Sequence, residues 1–293
     1  MKSGFVAILG RPNVGKSTLL NAILSKKVSI VTSRAQTTRD SIMGIYNTKG
    51  VQIVFIDTPG LFEGKSALDS TIDKAARNAS RGVECALFLI DCSQSNMELE
   101  QKTIESLKLE CPLIIVLNKI DLVRVDKAEE IRAFFLEKNP NAKIMLMSAL
   151  KNFGIKEVKD EILTHLPEGP QYYPLDALTD KDKRFEAKEE IRREILRFVK
   201  DEVPHQSAVT IERFEEKKGN NIIEASIYVE KESQVAIIVG KKGSMIKKIS
   251  MTARRELERM WQEHVTLEVE VKVAKDWRNR ASKLAQFGYS DNN

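Results

Sequence analysis

Residues 10–17 read GRPNVGKS, a stretch that fits the pattern G-x-x-x-x-G-K-[ST]. An apolar run, residues 5–9, precedes it, and residues 18–24 have the composition of a helix. A strand, a glycine-rich loop and a helix in this order can direct backbone N–H groups and a helix N-terminus toward phosphate oxygens. We predict a phosphate-binding loop rather than an ordinary glycine turn, because a plain turn requires neither Lys16 nor Ser17.

Several side chains of this loop have predicted parts in binding a nucleoside triphosphate. The Lys16 ammonium would reach the β and γ phosphates, and the Ser17 hydroxyl would ligate Mg²⁺. Asn13 could ligate a monovalent cation, K⁺, beside the same phosphates and so supply positive charge during hydrolysis. The predicted nucleotide contacts in the loop are Gly10, Arg11, Pro12, Asn13, Val14, Gly15, Lys16, Ser17 and Thr18.

Length and composition limit the class of protein. The chain has 293 residues, 42% hydrophobic and 30% charged, which is typical of a soluble globular protein with about two domains. No uncharged apolar run approaches the ~18 residues of a membrane span, and the first strand begins too early for a signal peptide, so we expect a cytosolic protein. Cys85, Cys92 and Cys111 lack metal-binding spacing and are expected to be reduced.

Strand-like and helical patterns alternate over the first half of the chain. Strands are predicted at residues 5–9, 41–46, 52–56, 85–90, 112–117 and 142–147, and helices at 16–24, 67–77, 99–109, 127–138 and 155–165. This alternation predicts an α/β fold with a mostly parallel sheet and helices on both faces. Ligands of such sheets bind at the carboxyl ends of the strands, so further motifs should follow strands directly.

A D-x-x-G element follows the third predicted strand, as Asp57-Thr58-Pro59-Gly60. A carboxylate at this position can hold Mg²⁺ through water, and the Gly60 N–H can meet a γ phosphate and so sense its presence. An ordinary turn uses the same residue types, so the position after a strand is what favours the functional interpretation.

Two more motifs follow the fifth and sixth predicted strands, namely Asn118-Lys119-Ile120-Asp121 and Ser148-Ala149-Leu150. Guanine presents N1–H and its N2 amino group as neighbouring donors, which the Asp121 carboxylate can accept together, whereas adenine presents no such pair. Asn118 would brace the loop and the base, the Lys119 stem would cover the base, and the Ala149 N–H would meet guanine O6. These motifs favour GTP or GDP as the ligand. The alternative for the N-K-x-D element is a solvated turn between strand and helix.

The segment between the first helix and the second strand, residues 32–39, reads TSRAQTTR. A hydroxyl in this loop could complete the Mg²⁺ shell when the γ phosphate is bound, which would order the loop. Thr38 is the predicted ligand and Thr37 the next candidate, with a polar surface loop as the alternative. The predicted Mg²⁺ ligands are Ser17, Thr38 and Asp57, and the predicted catalytic residues are Lys16, Asn13, Thr38 and Gly60.

The residue after Gly60 departs from a common GTPase pattern. Many GTPases orient the attacking water with a glutamine there, whereas Leu61, also a predicted nucleotide contact, has no hydrogen-bonding side chain. We therefore expect slow intrinsic turnover that a partner raises. In order and spacing, the motifs GRPNVGKST, QTTRD, DTPG, NKID and SAL resemble translation-factor-class GTPases, and SIVTSRAQTTRD is similar to the bacterial Era family.

The pattern changes near residue 167. Residues 166–178 read LPEGPQYYPLDAL, whose prolines and glycine are typical of a linker. Tyr172 and Tyr173 are expected to pin this segment against a domain surface. A helix (182–200), two strands (208–214 and 222–229), a short apolar segment (234–239), a helix (245–262) and a strand (265–273) follow, in the order α-β-β-α-α-β. We predict a GTPase domain at residues 1–166, a linker at 167–180 and a second domain at 181–293.

The second domain contains a G-x-x-G turn between helices, a shape that lets a single-stranded sugar-phosphate chain approach closely. Residues 241–259 carry seven basic and two acidic side chains, so their net charge of +5 equals that of the whole chain. A plain helix–helix turn and a solvated charged helix are the alternatives. The predicted RNA contacts are Gly240, Lys241, Lys242, Gly243, Lys247, Lys248, Arg254 and Arg255. Arg34 and Arg39 are predicted to contact phosphate or RNA.

The stretch IIVGKKGSMIKKI, with this order of elements, resembles the type II KH domain, an α+β fold that forms the second half of Era-family proteins. The resemblance implies binding near the 3′ end of 16S rRNA, a role in 30S subunit assembly and loose contact with the inner membrane, and we expect a monomer. A signalling GTPase whose basic module binds a protein or a membrane is the alternative. A third possibility, a constitutive RNA-binding protein, is disfavoured because the Mg²⁺ and phosphate motifs are intact.

Overall fold

The computed structural model describes residues 1–32, 34, 37–61 and 66–289. Contacts between residues divide the chain into two compact units. Among the described residues, one unit contains residues 1–61 and 72–180, and the other contains residues 66–71 and 181–289.

The first unit is built on a six-stranded sheet. Its strands are β1 (Lys2–Leu9), β2 (Ile42–Thr48), β3 (Val51–Asp57), β4 (Cys85–Asp91), β5 (Leu113–Asn118) and β6 (Lys143–Leu146). They lie in the order β2-β3-β1-β4-β5-β6, and only the β2–β3 pair is antiparallel. The helices of this part of the chain are α1 (Lys16–Leu24), α2 (Ala67–Asn78), α3 (Met97–Leu107), α4 (Val125–Lys138) and α5 (Ile155–His165). The predicted α/β fold with a mostly parallel sheet is confirmed.

Two apolar clusters lie on opposite faces of this sheet. Alternate residues of a strand face opposite sides, and accordingly Val6 and Ile8 of β1 belong to one cluster while Ala7 and Leu9 belong to the other. Helices α1 and α5 cover the first face, and α2, α3 and α4 contribute to the second. Every residue of β4 is buried, as expected of a central strand covered on both sides.

The predicted linker, residues 167–180, belongs to the first unit and is held against its strands. The Gln52 side-chain carbonyl on β3 accepts the N–H groups of Tyr172 and Tyr173 at 2.7 and 3.0 Å. The Tyr172 ring meets the Phe5 ring edge-on, with centroids 4.8 Å apart. This proline-rich segment is therefore packed along the unit.

The second unit contains a three-stranded sheet and four helices among its described residues. Its elements are α6 (Lys183–Phe198), β7 (Ala208–Lys217), β8 (Asn220–Val229), α7 (Glu232–Val239), α8 (Ser244–Trp261), β9 (His264–Val273) and α9 (Ala281–Gln286). In the sheet order β7-β8-β9, the first pair is antiparallel and the second is parallel. The α-β-β-α-α-β order is confirmed. Helix α9 was not predicted, because it has only six residues and is stabilised by aromatic packing of Trp277 with Phe287 and Tyr289.

The three cysteines are wholly or partly buried, as expected of thiols in an apolar core. Cys85 and Cys92 are buried, Cys111 is partly buried, and all three are free thiols. Burial raises the pKa of both Cys85 and Cys92 to about 12, which disfavours the reactive thiolate. Across the described ranges, no helix combines the length and the apolar composition needed to span a bilayer.

Candidate nucleotide-binding site

The loop between β1 and α1 folds around the Lys16 ammonium. Lys16 Nζ donates hydrogen bonds to the backbone carbonyls of Gly10 and Arg11, both at 3.0 Å. The side chain is 6% exposed, and its burial lowers the Lys16 pKa to about 8, although the carboxylates of Asp57 and Glu100 oppose this shift. A desolvated cation in a loop of backbone groups is suited to an anionic ligand, whose charge would compensate the lost hydration.

Gly15 allows the phosphate loop to lie directly against Asn118. Its φ is 104°, and a Cβ atom there would lie only 2.3 Å from Asn118 Nδ2. Asn118 Nδ2 donates to the Val14 carbonyl at 2.8 Å, and its Oδ1 accepts the Ala149 N–H at 3.0 Å. One amide side chain therefore joins the loops that follow β1, β5 and β6, as the predicted bracing role requires.

The residues predicted to contact the base come together in a cleft of about 130 Å³. This cleft is lined by Gly15, Thr18, Asn118, Lys119, Asp121, Leu122, Ser148, Ala149 and Leu150. The Ala149 N–H, predicted to meet guanine O6, donates to Asn118 Oδ1 in this structure, and its contact with the base stays a prediction. Lys119 Nζ lies 2.6 Å from Asp91 Oδ2, an ion pair that holds the lysine stem beside the cleft and that no motif indicated.

The three predicted Mg²⁺ ligands form one hydrogen-bonded cluster. The Ser17 hydroxyl donates to Asp57 Oδ2 at 2.6 Å and lies 2.9 Å from Thr38 Oγ1. Burial raises the Asp57 pKa, although its hydrogen bond from Ser17 acts in the opposite direction. The second oxygen, Asp57 Oδ1, is buried and has no hydrogen-bond partner among the described residues. Because Mg²⁺ prefers carboxylate and hydroxyl oxygens and would satisfy this carboxylate directly or through water, the residues fit the cation.

The loop before β2 distinguishes the two candidate threonines. Thr38 lies against Ser17, whereas the Thr37 hydroxyl donates to the Arg34 carbonyl at 2.7 Å and lies 2.7 Å from Thr32 Oγ1. The geometry thus favours Thr38. Arg39 is 4% exposed, which does not fit its predicted contact with RNA. Three residues of this loop, Ser33, Ala35 and Gln36, lie outside the described residues.

The D-x-x-G segment is fixed beside the phosphate loop. The Thr58 hydroxyl donates to the Ile8 carbonyl at 2.7 Å, and the Leu61 N–H donates to the Gly10 carbonyl at 3.0 Å. A Cβ on Gly60 would lie 2.6 Å from the Pro12 nitrogen, so this close approach requires glycine. The Leu61 side chain is 2% exposed and packs in the core, away from any role with water.

A second cleft, of about 280 Å³, adjoins these groups. Its lining includes Pro12, Asn13, Gly15, Lys16, Ser17, Thr18, Thr38 and Gly60. Gly15, Thr18 and Lys119 line this cleft and the base cleft, which places a predicted phosphate region next to a predicted base region.

Sequence reasoning missed two buried residues of this site. The Ser29 hydroxyl donates to Asp57 Oδ2 at 2.9 Å. Glu100 of α3 is 3% exposed and lies 3.7 Å from the Arg11 guanidinium; burial raises its pKa to about 7, against the attraction of Arg11 and Lys16. Both contacts join residues distant in sequence, although the helical spacing of Glu100 with the buried Ile104 was a signal that Glu100 faces inward.

The residues predicted to bind RNA form a turn and a helix start in the second unit. Gly240, Lys242 and Gly243 have positive φ values of 73°, 52° and 75°. Lys241 and Lys242 are exposed, and neither pairs with a carboxylate in the part of the chain that the structure describes. A Cβ on Gly240 would lie 2.7 Å from Met245 Cβ, so the tight turn requires glycine.

The rest of the predicted RNA surface lies on α8. Lys247, Lys248 and Arg255 are exposed, whereas Arg254 is partly buried. Lys248 Nζ lies 4.1 Å from the centre of the Phe198 ring, a contact that holds the lysine stem against α6.

The fold and the two sites define a P-loop GTPase joined to a KH domain. A family model for a 50S ribosome-binding GTPase matches residues 5–119, and a KH-domain model matches residues 202–278. A GTPase Era from Geobacter metallireducens is 42% identical and covers 99% of this chain and 98% of its own length. One from Lactobacillus helveticus is 41% identical, with 98% of this chain and 96% of the relative covered.

Two solved structures agree with these relatives. One is Era in complex with MgGDPNP and nucleotides 1506–1542 of 16S ribosomal RNA, which is 37% identical with a TM-score of 0.93 and covers 99% of both chains. The other is a variant of Aquifex aeolicus Era bound to GDP·AlF4⁻. It has the same identity and TM-score, and the match covers 99% of this chain and 100% of that one. The chain belongs to the Era family of GTPases, as its motifs indicated.

Proposed function

We propose that this GTPase is a switch in which bound GTP controls how the KH domain holds small-subunit ribosomal RNA during assembly of the 30S subunit. The observation that carries the proposal is the cluster of Ser17, Thr38 and Asp57. It links the phosphate loop, the loop before β2 and the end of β3 through hydrogen bonds of 2.6 and 2.9 Å. A ligand that reorders this cluster would alter the two segments that sense the γ phosphate.

The chain's own residues would carry hydrolysis as follows. Ser17, Thr38 and Asp57 would hold Mg²⁺, which would neutralise phosphate charge when bound. Lys16 would exchange its backbone carbonyl partners for the β and γ phosphates, and the Gly60 N–H would meet the γ phosphate. The relatives in complex with MgGDPNP and with GDP·AlF4⁻ support Mg²⁺ use and GTP hydrolysis at this site.

Asn13 is proposed to ligate K⁺ beside the transferred phosphate. Its backbone has a φ of 65°, and the residue lines the phosphate cleft. Leu61 is packed in the core and cannot act as the glutamine does in many GTPases. Positive charge from a monovalent cation would stabilise the transition state in its place. Hydrolysis should be faster in K⁺ than in Na⁺, and equal rates would contradict the assignment.

The second unit is proposed to bind RNA through its exposed basic turn. The solved relative in complex with nucleotides 1506–1542 of 16S rRNA supports the 3′ end of that RNA as the ligand. The domain boundaries remain a proposal, with a GTPase domain at 1–166, a linker at 167–180 and a KH domain at 181–293. The division of contacts between residues 180 and 181 supports the second boundary.

A cytoplasmic location and a monomeric state remain predictions, as does the peripheral contact with the inner membrane that the resemblance implies. Flotation with anionic liposomes tests the membrane contact, and light scattering tests the monomer.

RNA affinity measured against salt tests the proposed function. A steep loss between about 50 and 200 mM salt is expected of phosphate-backbone contacts. Absence of RNA binding together with tight binding to liposomes or to a protein would favour the signalling alternative. Crosslinking to cellular RNA with and without a non-hydrolysable GTP analogue, followed by sequencing, would identify the RNA.

A further inference from the structure

Ser29 lies in the cation cluster although the sequence predicted no part for it in the site. It is buried in the segment between α1 and β2, and its hydroxyl donates to Asp57 Oδ2 at 2.9 Å. Ser17 donates to the same oxygen at 2.6 Å. Two donors on one oxygen restrict rotation of the carboxylate. The buried Oδ1 is then the oxygen without a hydrogen-bond partner in the part of the chain that the structure describes.

Asn21 of α1 fixes the backbone at Ser29. Asn21 Oδ1 accepts the N–H groups of Val28 and Ser29 at 2.9 and 3.0 Å, and Asn21 Nδ2 donates to the Ser29 carbonyl at 2.8 Å. Helix α1 begins at the phosphate loop, so Ser29 is tied to the same rigid element that carries Ser17. Helix α1 therefore holds the Ser29 hydroxyl, the donor to Asp57, in place. Ser29 precedes the loop of residues 32–39, which contains Thr38.

We propose that Ser29 is a positioning residue for the divalent cation. By holding Asp57 Oδ2 together with Ser17, it reserves Asp57 Oδ1 for the coordination shell. The inference rests on the Mg²⁺-dependent nucleotide binding proposed above. Ser29 acts through Asp57, and loss of such an outer-shell partner typically lowers metal affinity by about 10- to 100-fold.

The test follows release of a fluorescent GDP analogue from the full chain at a series of free Mg²⁺ concentrations. In Ser29→Ala, the Mg²⁺ concentration for half-maximal retention should rise by about 10- to 100-fold. Ser29→Cys is nearly isosteric but has a weaker donor, so it should raise this Mg²⁺ concentration by less. The cysteine variant serves as the test if the alanine variant does not fold. At saturating Mg²⁺ both variants should retain nucleotide like the wild type.

Ser3→Ala is the matched control. Ser3 is a fully buried serine of the same unit, and its hydroxyl donates to the Pro170 carbonyl at 2.7 Å instead of to the cluster. Its Mg²⁺ midpoint should equal that of the wild type.

The possible failures are distinguishable. An unchanged midpoint in Ser29→Ala, with Mg²⁺ dependence intact in the wild type, would overturn the role of Ser29 and leave the proposed function standing. Equal loss of nucleotide at all Mg²⁺ concentrations, saturation included, would indicate a purely structural role and also overturn it. A wild-type protein whose nucleotide retention ignores Mg²⁺ would overturn both proposals.

Discussion

Two glycine-flanked loops carry lysines in this molecule, and they hold those lysines very differently. Lys16, in the loop of residues 10–17, is 6% exposed, and its ammonium donates to two backbone carbonyls. Lys241 and Lys242, in the turn of residues 240–243, are exposed. A desolvated and fixed cation favours one charged group in one position, whereas exposed and rotatable ammonium groups attract any phosphate backbone. The first loop thus suits a defined nucleotide and the second an extended polyanion.

The loops also differ in their neighbours. The phosphate loop is joined through Asn118 to two other loops, so a change at one residue should disturb the whole site. The basic turn is attached by the close contact of Gly240 with Met245, and its lysines project without ion-pair partners among the described residues. Substitutions in the first region should therefore have large, all-or-none effects, and those in the second should have graded, salt-dependent effects.

The largest effect is expected from Lys16→Ala. Phosphate release should fall by about 10³-fold or more, because the buried ammonium is the charge that meets the β and γ phosphates. The circular dichroism spectrum should remain that of the wild type. Lys26→Ala, an exposed lysine just after α1, is the control and should hydrolyse normally. Hydrolysis by Lys16→Ala within tenfold of wild type would remove the distinction between the two loops.

Asp121→Asn should have the next largest effect. Affinity for GTP should fall by about 100-fold, because two donors of guanine lose their shared carboxylate acceptor. Xanthosine triphosphate should gain affinity, since the asparagine amide can donate to its additional carbonyl. Fluorescence titration with both nucleotides measures this change. Asp126→Asn, an exposed acid on α4, serves as control, and unchanged GTP selectivity in Asp121→Asn would contradict the base assignment.

Replacing Lys241 and Lys242 together with alanine should give a graded effect. RNA affinity should weaken by about tenfold near 0.1 M salt, and the slope of log affinity against log salt should shrink by about 1.4, since each single-strand phosphate contact contributes about 0.7. GTP affinity should be unchanged. The control replaces Lys217 and Lys218, exposed lysines at the β7–β8 turn. Equal salt slopes in both double variants would contradict a specific contact between the turn of residues 240–243 and RNA.

The smallest effect concerns stability of the nucleotide-free protein. Lys16 has a folded-state pKa of about 8, below its usual 10.5, so between these pH values the folded state binds fewer protons than the unfolded state. Below pH 8 the lysine is charged in both states, and its burial lowers the free energy of unfolding. Lys16→Met should therefore raise the free energy of unfolding by about 3 kcal/mol at pH 7. This gain should vanish as the pH rises from 8 to 10.5. Denaturant unfolding at several pH values measures it, and a gain that does not vary with pH would contradict burial of the charge as the cause.

Local patterns predicted the elements that carry the motifs. The bounds of α1 and α5 agree with the predicted ones, because apolar periodicity and the adjoining glycines fix both helices. The strands were placed within a few residues of their observed bounds, since their apolar residues face a buried core on both sides, as in β4, or on one side, as in β9. Within the predicted site, the grouping of Ser17 and Asp57 followed from the rule that ligands bind at the carboxyl ends of parallel strands. Thr38 was added because a loop hydroxyl can complete the Mg²⁺ shell.

Contacts between distant residues were not predictable in this way. The Ser29–Asp57 and Glu100–Arg11 contacts depend on how separate elements pack, and no spacing rule relates their positions. The hydrogen bond from the Ala149 N–H to Asn118 was not predicted either, because Asn118 ends another strand. The two tyrosines of residues 167–180 pack against the first unit as expected, but their partners Gln52 and Phe5 were not predicted, since proline and glycine report backbone shape rather than binding partners.

The coupling of the two regions is tested most directly by the affinity of the full chain for RNA from the 3′ end of 16S rRNA, measured with Mg–GDPNP and with Mg–GDP. The switch predicts dissociation constants that differ by about tenfold, in the range typical of coupled sites, with tighter binding in the GDPNP state. The difference should disappear in Lys16→Ala. Equal dissociation constants in the two nucleotide states of the wild-type protein would contradict the switch.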